Sequence, residues 1–390
     1  MTENEKKAVK VVGTAPTMNK KSGEEWEIAE ISIREIRSII PAHCFERNTF
    51  RSFAYLFKDL FYVGALVYCA SSIGNISFAP LRLVLWPVYW FLQSAVCTGL
   101  WMICHECGHQ AFSSSKVLCD GVGMVVHSFM LVPYYSWAIT HGKHHNTIGH
   151  VTRDKNHIPK LRSSTGLPPL AEDPEIDGPH SILEHAPFVE LLRLSFFLFV
   201  AWPYYMLFHT PGDTTRERWV SHFNPNCFIF DKSQYWQVVQ SIIGVLIMLG
   251  VLIGLGSIYG LINIIKFYII PHILTHAWMI TITYIQHTAP ELPHYDSEVW
   301  SYQRGVALTV DRSYGAFLDH VFHHIGDTHF LHHVVHTIPH YHTVEATEHL
   351  KKALGKHYRR DDTPIYKVLF NSWTKCKFVE NEGAVRFYKN

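Results

Sequence analysis

The sequence predicts an all-α integral membrane protein, a bundle of four crossing helices with a cytosolic helical cap that holds a histidine-rich site for two metal ions. Hydrophobic residues make up 48% of the 390 residues and gather in uncharged runs long enough to cross a bilayer. Aromatic residues make up 14%, which is typical of the belts at membrane interfaces. The chain also contains 28 histidines, and neutral imidazole is the commonest metal ligand in proteins.

The chain begins with a polar segment. Residues 1–30 are rich in lysine and lack an apolar period, so we expect a disordered tail and no cleavable signal peptide. Residues 31–40 are predicted to form a short amphipathic helix that ends before Pro41. We expect the membrane domain with its cap to span residues 31–385 and a short C-terminal tail to follow at 386–390.

Four apolar segments are each about as long as a bilayer crossing requires. They are residues 60–76, 83–104, 238–258 and 267–285. Because short links join them in pairs, they are predicted to form two antiparallel hairpins. Two further apolar segments, residues 122–139 and 191–208, contain prolines, and we expect them to lie at the interface. The alternative is that they also cross, which would give six crossings.

Charge predicts the orientation of these segments. The N-terminal tail carries several lysines, whereas the links at 77–82 and 259–266 carry at most one basic residue each. The positive-inside rule therefore places both chain termini and the large loops in the cytosol and the two links in the lumen. The net charge of +1 gives no reason to expect nucleic-acid binding. The eight cysteines are scattered and are expected to be reduced thiols.

The first motif that suggests chemistry follows the second predicted crossing. In His105-Glu106-Cys107-Gly108-His109 the two histidines are four residues apart, so they share one face of a helix. The string also fits H-E-x-x-H, the pattern of zinc metalloproteases, in which Glu106 would be the general base. Taken alone, this motif leaves both a zinc protease and another metal enzyme open.

Two later motifs share one spacing and favour another metal enzyme over a zinc protease. Each presents histidines at positions i, i+3 and i+4, on one helical face. They are His141, His144 and His145, and then His329, His332 and His333. Eight such histidines exceed the four ligands of one tetrahedral zinc and suit two adjacent metals with open positions. His287, at the cytosolic end of the last predicted crossing, is a ninth candidate ligand.

Further residues are candidates to support the metal ligands from outside. Asp154, Asp327 and Glu345 are carboxylates that could orient ligating imidazoles. Among the remaining C-terminal histidines, His323 is the best candidate for a residue that supports the ligands without belonging to the three motifs.

A histidine-rich site at the membrane end of a bundle suits oxidative chemistry on a lipid. Breaking an unactivated C–H bond requires a redox metal and O₂. Zinc has no redox chemistry and could not supply this step.

At these motifs the sequence resembles the membrane-bound fatty acid desaturases, and within them the Δ12 (ω-6) oleate group, particularly its fungal members. The resemblance covers roughly residues 31–385. Beyond the three histidine motifs, it rests on dispersed strings that include Ile40-Pro41-Ala42-His43-Cys44-Phe45, Leu131-Val132-Pro133-Tyr134, Gln286-His287-Thr288 and Ile338-Pro339-His340-Tyr341-His342.

The resemblance implies an activity and its partners. It implies two Fe ions, O₂ as co-substrate and oleoyl chains, carried on phosphatidylcholine or coenzyme A, as substrate. It also implies electrons from NADH through cytochrome b5 and its reductase, and a multi-pass location in the endoplasmic reticulum membrane. Finally, it implies that His287 is a ligand.

Some strings depart from the family pattern. Cys104 stands where alanine usually precedes the first motif, and Val334-Val335-His336-Thr337 replaces the usual string after the third. These departures leave an ω-3 desaturase, an acetylenase, a hydroxylase or a conjugase open as alternatives within the same family.

Overall fold

The computed structural model describes residues 32–154, 156–167, 186–208 and 220–390, which form a mainly helical bundle as the sequence predicts. The helices are α1 (Ile33–Ile39), α2 (Thr49–Ser71), α3 (Ala79–Gly108), α4 (Lys116–Phe129), α5 (Tyr134–Thr147), α6 (Pro187–Phe208), α7 (Tyr235–Tyr259), α8 (Leu261–Ile264), α9 (Ile270–His287), α10 (Tyr302–Val306), α11 (Ala316–Val321), α12 (His329–Val334), α13 (His340–Leu354) and α14 (Ile365–Lys375). The predicted tail at 1–30 lies outside the described residues.

A small antiparallel sheet accompanies the helices, and the all-α prediction did not include it. Strand β1 (Pro293–Tyr295) pairs with β2 (Val385–Phe387). Beyond β2, Lys389 pairs with the backbone of Phe378 and with the carboxylate of Glu380. The chain at 386–389, which was expected to be a tail, is therefore part of the folded domain.

In the part of the chain that the structure describes, five helical segments are long and apolar enough to cross a membrane. They are Thr49–Asn75, Ala79–Gly108, Pro187–Phe208, Lys232–Tyr259 and Leu261–His287. Four of them overlap the predicted crossings, and the fifth is α6. Helix α2 begins at Thr49 rather than near residue 60, because Asn48 caps the helix by accepting a hydrogen bond from the Arg51 N–H.

Helix α6 contacts segments outside the crossing helices at both of its ends. Near its start, the Glu190 carboxylate accepts hydrogen bonds from Trp373 and Lys377 of the C-terminal region. Near its end, the Tyr205 hydroxyl donates to Asn156, which lies in the segment after α5. Helix α6, which the sequence places at the interface, also packs along α9 and is as long and apolar as a bilayer crossing requires.

The other predicted interfacial segment, residues 122–139, is not continuous. Helix α4 ends at Phe129 and α5 begins at Tyr134. The chain direction bends by 108° between the two helices. Leu131 has a positive φ of 53°, and Pro133 precedes α5, where it lacks the N–H that a continuing helix would need. The bend directs the second histidine motif toward the end of α3.

Helix α3 is the centre of the bundle and packs against α2, α4 and α9. Its buried Leu100, Trp101 and Ile103 form one core with Ile282 and Ile285 of α9. By contrast, α7 turns a largely exposed apolar face outward, as expected of a helix in contact with lipid.

The closest approach to α3 occurs at Gly99. A Cβ atom at this position would lie 2.2 Å from the backbone oxygen of Val321 in α11. We expect Gly99→Ala to destabilise the protein by about 1–3 kcal/mol, because backbone must move to admit the methyl group. Gly250→Ala in α7 is the matched control, since no atom lies within 4 Å of its added Cβ. Thermal unfolding in detergent measures the difference, and equal melting temperatures for the two variants would contradict this packing.

Candidate metal centre

The structure brings together all nine histidines that the sequence selected, and all nine are buried. Four helical segments supply them from their ends or short faces. His105 and His109 come from the end of α3, His141, His144 and His145 from α5, His287 from the end of α9, and His329, His332 and His333 from α12. The i, i+3 and i+4 spacings place the imidazoles of each motif on one face, as expected.

Five of these imidazoles form a first histidine group, comprising His105, His109, His141, His145 and His332. One ring nitrogen from each lies within 4.8 Å of all the others. The Nε2 atoms of His105 and His141 are 2.8 Å apart, and those of His141 and His145 are 3.0 Å apart. Metal–nitrogen bonds of about 2 Å would place neighbouring ligand atoms about 3 Å apart. The group therefore has the dimensions of a metal site.

A second histidine group contains His144, His287 and His333. His329 adjoins it, with its Nε2 atom 3.1 Å from that of His287 and 3.2 Å from that of His333. The rings of His145 and His333 stack with their centroids 4.2 Å apart, so the two groups are in contact. The arrangement suits two adjacent metal ions.

Hydrogen bonds outside the groups fix the orientation of two rings. The Nδ1 atom of His144 lies 2.8 Å from the Asp154 carboxylate, and that of His329 lies 3.1 Å from the Ile325 carbonyl oxygen. When Nδ1 donates to these acceptors, each Nε2 presents a lone pair to the centre. Burial disfavours the charge of Asp154, yet His144 and the Asn156 N–H together hold its pKa below the ordinary value.

The ring nitrogens are poorly satisfied without a cation. Burial and the neighbouring imidazoles hold the pKa values of His109, His332 and His333 well below the ordinary value, so these rings are neutral. A neutral imidazole has one lone pair to offer, and several facing lone pairs repel. The Nε2 atom of His109 is buried and lacks a hydrogen-bond partner in the described part of the chain. Imidazole ligands alone suit Fe, Cu, Zn or Ni rather than Mg or Ca.

The predicted supporting residues occupy different environments. Asp154 lies beside His144, as described above. His323 pairs instead with Asp59 of α2 at 2.6 Å, and Asp327 pairs with His324 at 3.0 Å. Neither of these two contacts is with a histidine of the three motifs, so Asp327 and His323 support the surrounding fold rather than a ligand ring directly.

Glu106 lines a small cavity beside His105 and His109, and its carboxylate is bonded to the start of α13. Its carboxylate lies 2.8 Å from Nδ1 of His340 and also accepts a hydrogen bond from the His340 backbone N–H. A general base of a zinc protease would have to face a metal-bound water. Because both oxygens of Glu106 bond to the first residue of α13, this carboxylate anchors α13 to α3 instead.

Sequence reasoning did not assign roles to two histidines close to the centre. The ring of His336 lies 4.9 Å from that of His109, and the ring of His157 lies 5.1 Å from that of His287. The spacing of four residues between His332 and His336 could have identified His336 as a neighbour of the centre. No local pattern marks His157, because its position depends on the turn at Asp154, whose carboxylate accepts the His157 N–H.

A large apolar cavity of about 1200 Å³ opens beside the two groups. Helices α3, α6 and α9 supply most of its wall, and six of the nine histidines also line it, namely His105, His141, His144, His287, His329 and His333. Its lining includes Trp101, His144, Phe197, Trp202, Thr283 and His287. Cavities of this size and character bind apolar ligands with few polar contacts.

Comparisons with known proteins agree with this site. A family model described as fatty acid desaturase matches residues 84–364. The chain is 43% identical to the Delta(12) fatty acid desaturases of Mortierella isabellina and Mortierella alpina, over 96% of this chain and 95% of each relative. It is 38% identical to a Brassica juncea protein named omega-6 fatty acid desaturase, endoplasmic reticulum, over 91% of this chain and 89% of the relative. The resemblance noted in the sequence is thereby confirmed, including its fungal character.

Asp154 allows a test of the metal centre that does not depend on activity. We expect Asp154→Ala to lower metal affinity by about 10–100-fold, because the His144 ring loses the acceptor that orients it. Metal retained by the purified protein during dialysis against increasing chelator concentrations measures the change. Asp362→Ala is the control, since that carboxylate is exposed and pairs with Arg360. Equal metal retention by the two variants would exclude this role for Asp154.

Proposed function

The chain belongs to the fatty acid desaturase family, and we propose that it is an acyl-lipid Δ12 desaturase that converts oleoyl chains into linoleoyl chains. The observation that carries the proposal is an apolar cavity of about 1200 Å³ that is lined by buried histidines of both groups. A long acyl chain matches such a cavity in size and polarity. The names of the fungal relatives support the Δ12 position.

We propose that the nine histidines hold two iron ions. The first histidine group would bind one ion, and the second group together with His329 would bind the other. When bound, the irons supply the redox chemistry with O₂ that unactivated methylene groups require. The protein contributes neutral imidazoles with fixed orientation and a site largely closed to water.

The reaction removes one hydrogen from each of two adjacent methylene groups and leaves a carbon–carbon double bond. One O₂ molecule, two electrons and two protons combine with these two hydrogens to give two water molecules. The expected source of the electrons is NADH, through cytochrome b5 reductase and cytochrome b5. The cavity wall determines which methylene pair lies beside the histidines, because an apolar chain has no polar group there to fix its register.

The proposal includes a location and an orientation. We place the protein in the endoplasmic reticulum membrane as one domain that includes β2 and Lys389, with both termini in the cytosol. The four crossings are then α2, α3, α7 and the segment Leu261–His287, while α6 and the bent pair α4–α5 lie at the cytosolic interface. In this arrangement α3 and α9 both end on the cytosolic side, where their histidines meet.

Expression in a yeast that lacks polyunsaturated lipids tests the function. We expect a new 18:2 fatty acid with double bonds at positions 9 and 12, identified by gas chromatography and mass spectrometry. An 18:3, acetylenic or hydroxylated product from supplied linoleate would move the protein to a sister activity of the family. No product from either substrate, with expression verified, would contradict the proposal.

The His332→Ala variant tests the ligand assignment in the same assay. We expect loss of the product and of bound iron, because His332 belongs to the first group, with its Nε2 atom 3.1 Å from that of His145. His357→Ala serves as the control, since that residue lies in a turn after α13. Full activity of His332→Ala would exclude it as a ligand.

A substitution in the cavity separates substrate binding from metal binding. Ala201 lines the cavity on α6, and we expect Ala201→Trp to lower the 18:2 product about tenfold or more by displacing the acyl chain. Its iron content should be unchanged. Ile253→Trp, on the exposed face of α7, is the control. Equal product levels for both variants would show that the substrate does not occupy this cavity.

A further inference from the structure

We propose a second metal site, separate from the two histidine groups, that binds a single zinc ion. Its donors are His43, Cys44, His342 and Glu345, which we call the outer site. It requires none of the nine histidines assigned to the iron ions, and it goes beyond the desaturase function proposed above.

The outer site is formed where the N-terminal segment meets the cap. His43 and Cys44 lie in a short 3-10 turn, Ala42–Phe45, between α1 and α2. His342 and Glu345 lie in the first turns of α13, and their spacing of three residues places both on one face of that helix. The turn packs directly against α13, so that one pair of donors faces the other.

The distances between the four donors are those of a small cation site. One donor atom from each residue lies within 4.8 Å of all the others. The Nε2 atom of His43 is 3.0 Å from the Glu345 carboxylate and 3.7 Å from the Cys44 sulfur. Zinc bonds of about 2.0–2.3 Å to nitrogen, oxygen and sulfur require separations of roughly 3.3–3.8 Å in a tetrahedron. Small side-chain rotations would bring all four donors to these separations.

The types of donor select the metal. Two imidazoles, one thiolate and one carboxylate are all ligands that zinc accepts, and four of them complete a closed tetrahedral structural site. A thiolate donor disfavours Mg and Ca, which bind oxygen ligands. An ion pair between His43 and Glu345 would explain two of the four residues. It would not account for the Cys44 sulfur and a His342 ring nitrogen, which lie within 4.8 Å of both groups.

The location suggests what the zinc would do. The first residue of α13, His340, bonds to Glu106 between the two histidines of the first motif. The next residue, Tyr341, accepts a hydrogen bond from the Asn48 N–H at the start of α2. A metal at the outer site would therefore link the N-terminal segment to the helix that braces the first motif. We infer a structural role, in which zinc stabilises the cap without taking part in the reaction.

Metal analysis of the purified full-length protein tests the outer site. We expect about one zinc per chain in the wild type, and retention of that zinc in His332→Ala, whose iron is lost. Cys44→Ser and His342→Ala should each lose the zinc while the iron content is unchanged. Cys69→Ser is the matched control, because that thiol is exposed on α2. Zinc that disappears in His332→Ala and persists in Cys44→Ser would overturn the proposal, because it would then belong to the histidine groups.

Cobalt substitution identifies the thiolate directly. We expect Co²⁺ added to metal-free protein to give the intense ultraviolet charge-transfer band of a cobalt–thiolate bond, which an all-histidine site cannot produce. The band should be absent in Cys44→Ser and present in Cys69→Ser. Glu345→Gln provides a milder variant, should Cys44→Ser fail to fold, and we expect it to weaken zinc binding at least tenfold. A wild type without the band, or a Glu345→Gln protein with unchanged zinc affinity, would show that the four residues form an ordinary polar contact.

Discussion

Nine buried imidazoles must face one another at one end of the bundle, and most of the surrounding structure serves this constraint. Facing lone pairs repel, and burial prevents water from separating them. A metal cation between the rings, as proposed, would make the arrangement favourable, and the fold holds the histidines in position to bind one. Helices are suited to this, because His141 and His145, or His329 and His333, are aligned by one turn of backbone.

The membrane helices provide the rigid support for this centre. Helix α3 packs against α2, α4 and α9, and its approach to α11 is so close that only glycine fits at position 99. Histidines at the ends of α3 and α9 therefore have little freedom to move. The same helices, with α6, enclose the apolar cavity, which places a lipid-soluble ligand directly beside the imidazoles. The same set of helices therefore supports the histidines and encloses the cavity that leads to them.

Carboxylates around the histidine groups fix the positions of a ring, a turn and a helix through hydrogen bonds. Asp154 orients His144 and also accepts the N–H groups of Asn156 and His157, so it fixes both a ring and a turn. Glu106 connects the first motif to the start of α13. The outer site, if it binds zinc as proposed, would stabilise the same helix from its other side. Polar contacts thus attach α13 to α3, while Val368 of α14 packs in the apolar core of α3 and α9.

The sequence by itself determined the helical membrane class, four of the five candidate membrane-crossing helices in the described residues and the nine candidate ligand histidines, because these depend on hydrophobic length and on spacing within one helix. Only the tertiary structure decided which distant groups meet. Asp59 pairs with His323, and Glu106 with His340, across long stretches of chain that no local pattern relates. The division of the histidines into two groups, the bend between α4 and α5, and the small sheet that closes the C-terminus have the same origin. Each is set by packing between elements far apart in the sequence, and spacing along the chain carries no information about such packing.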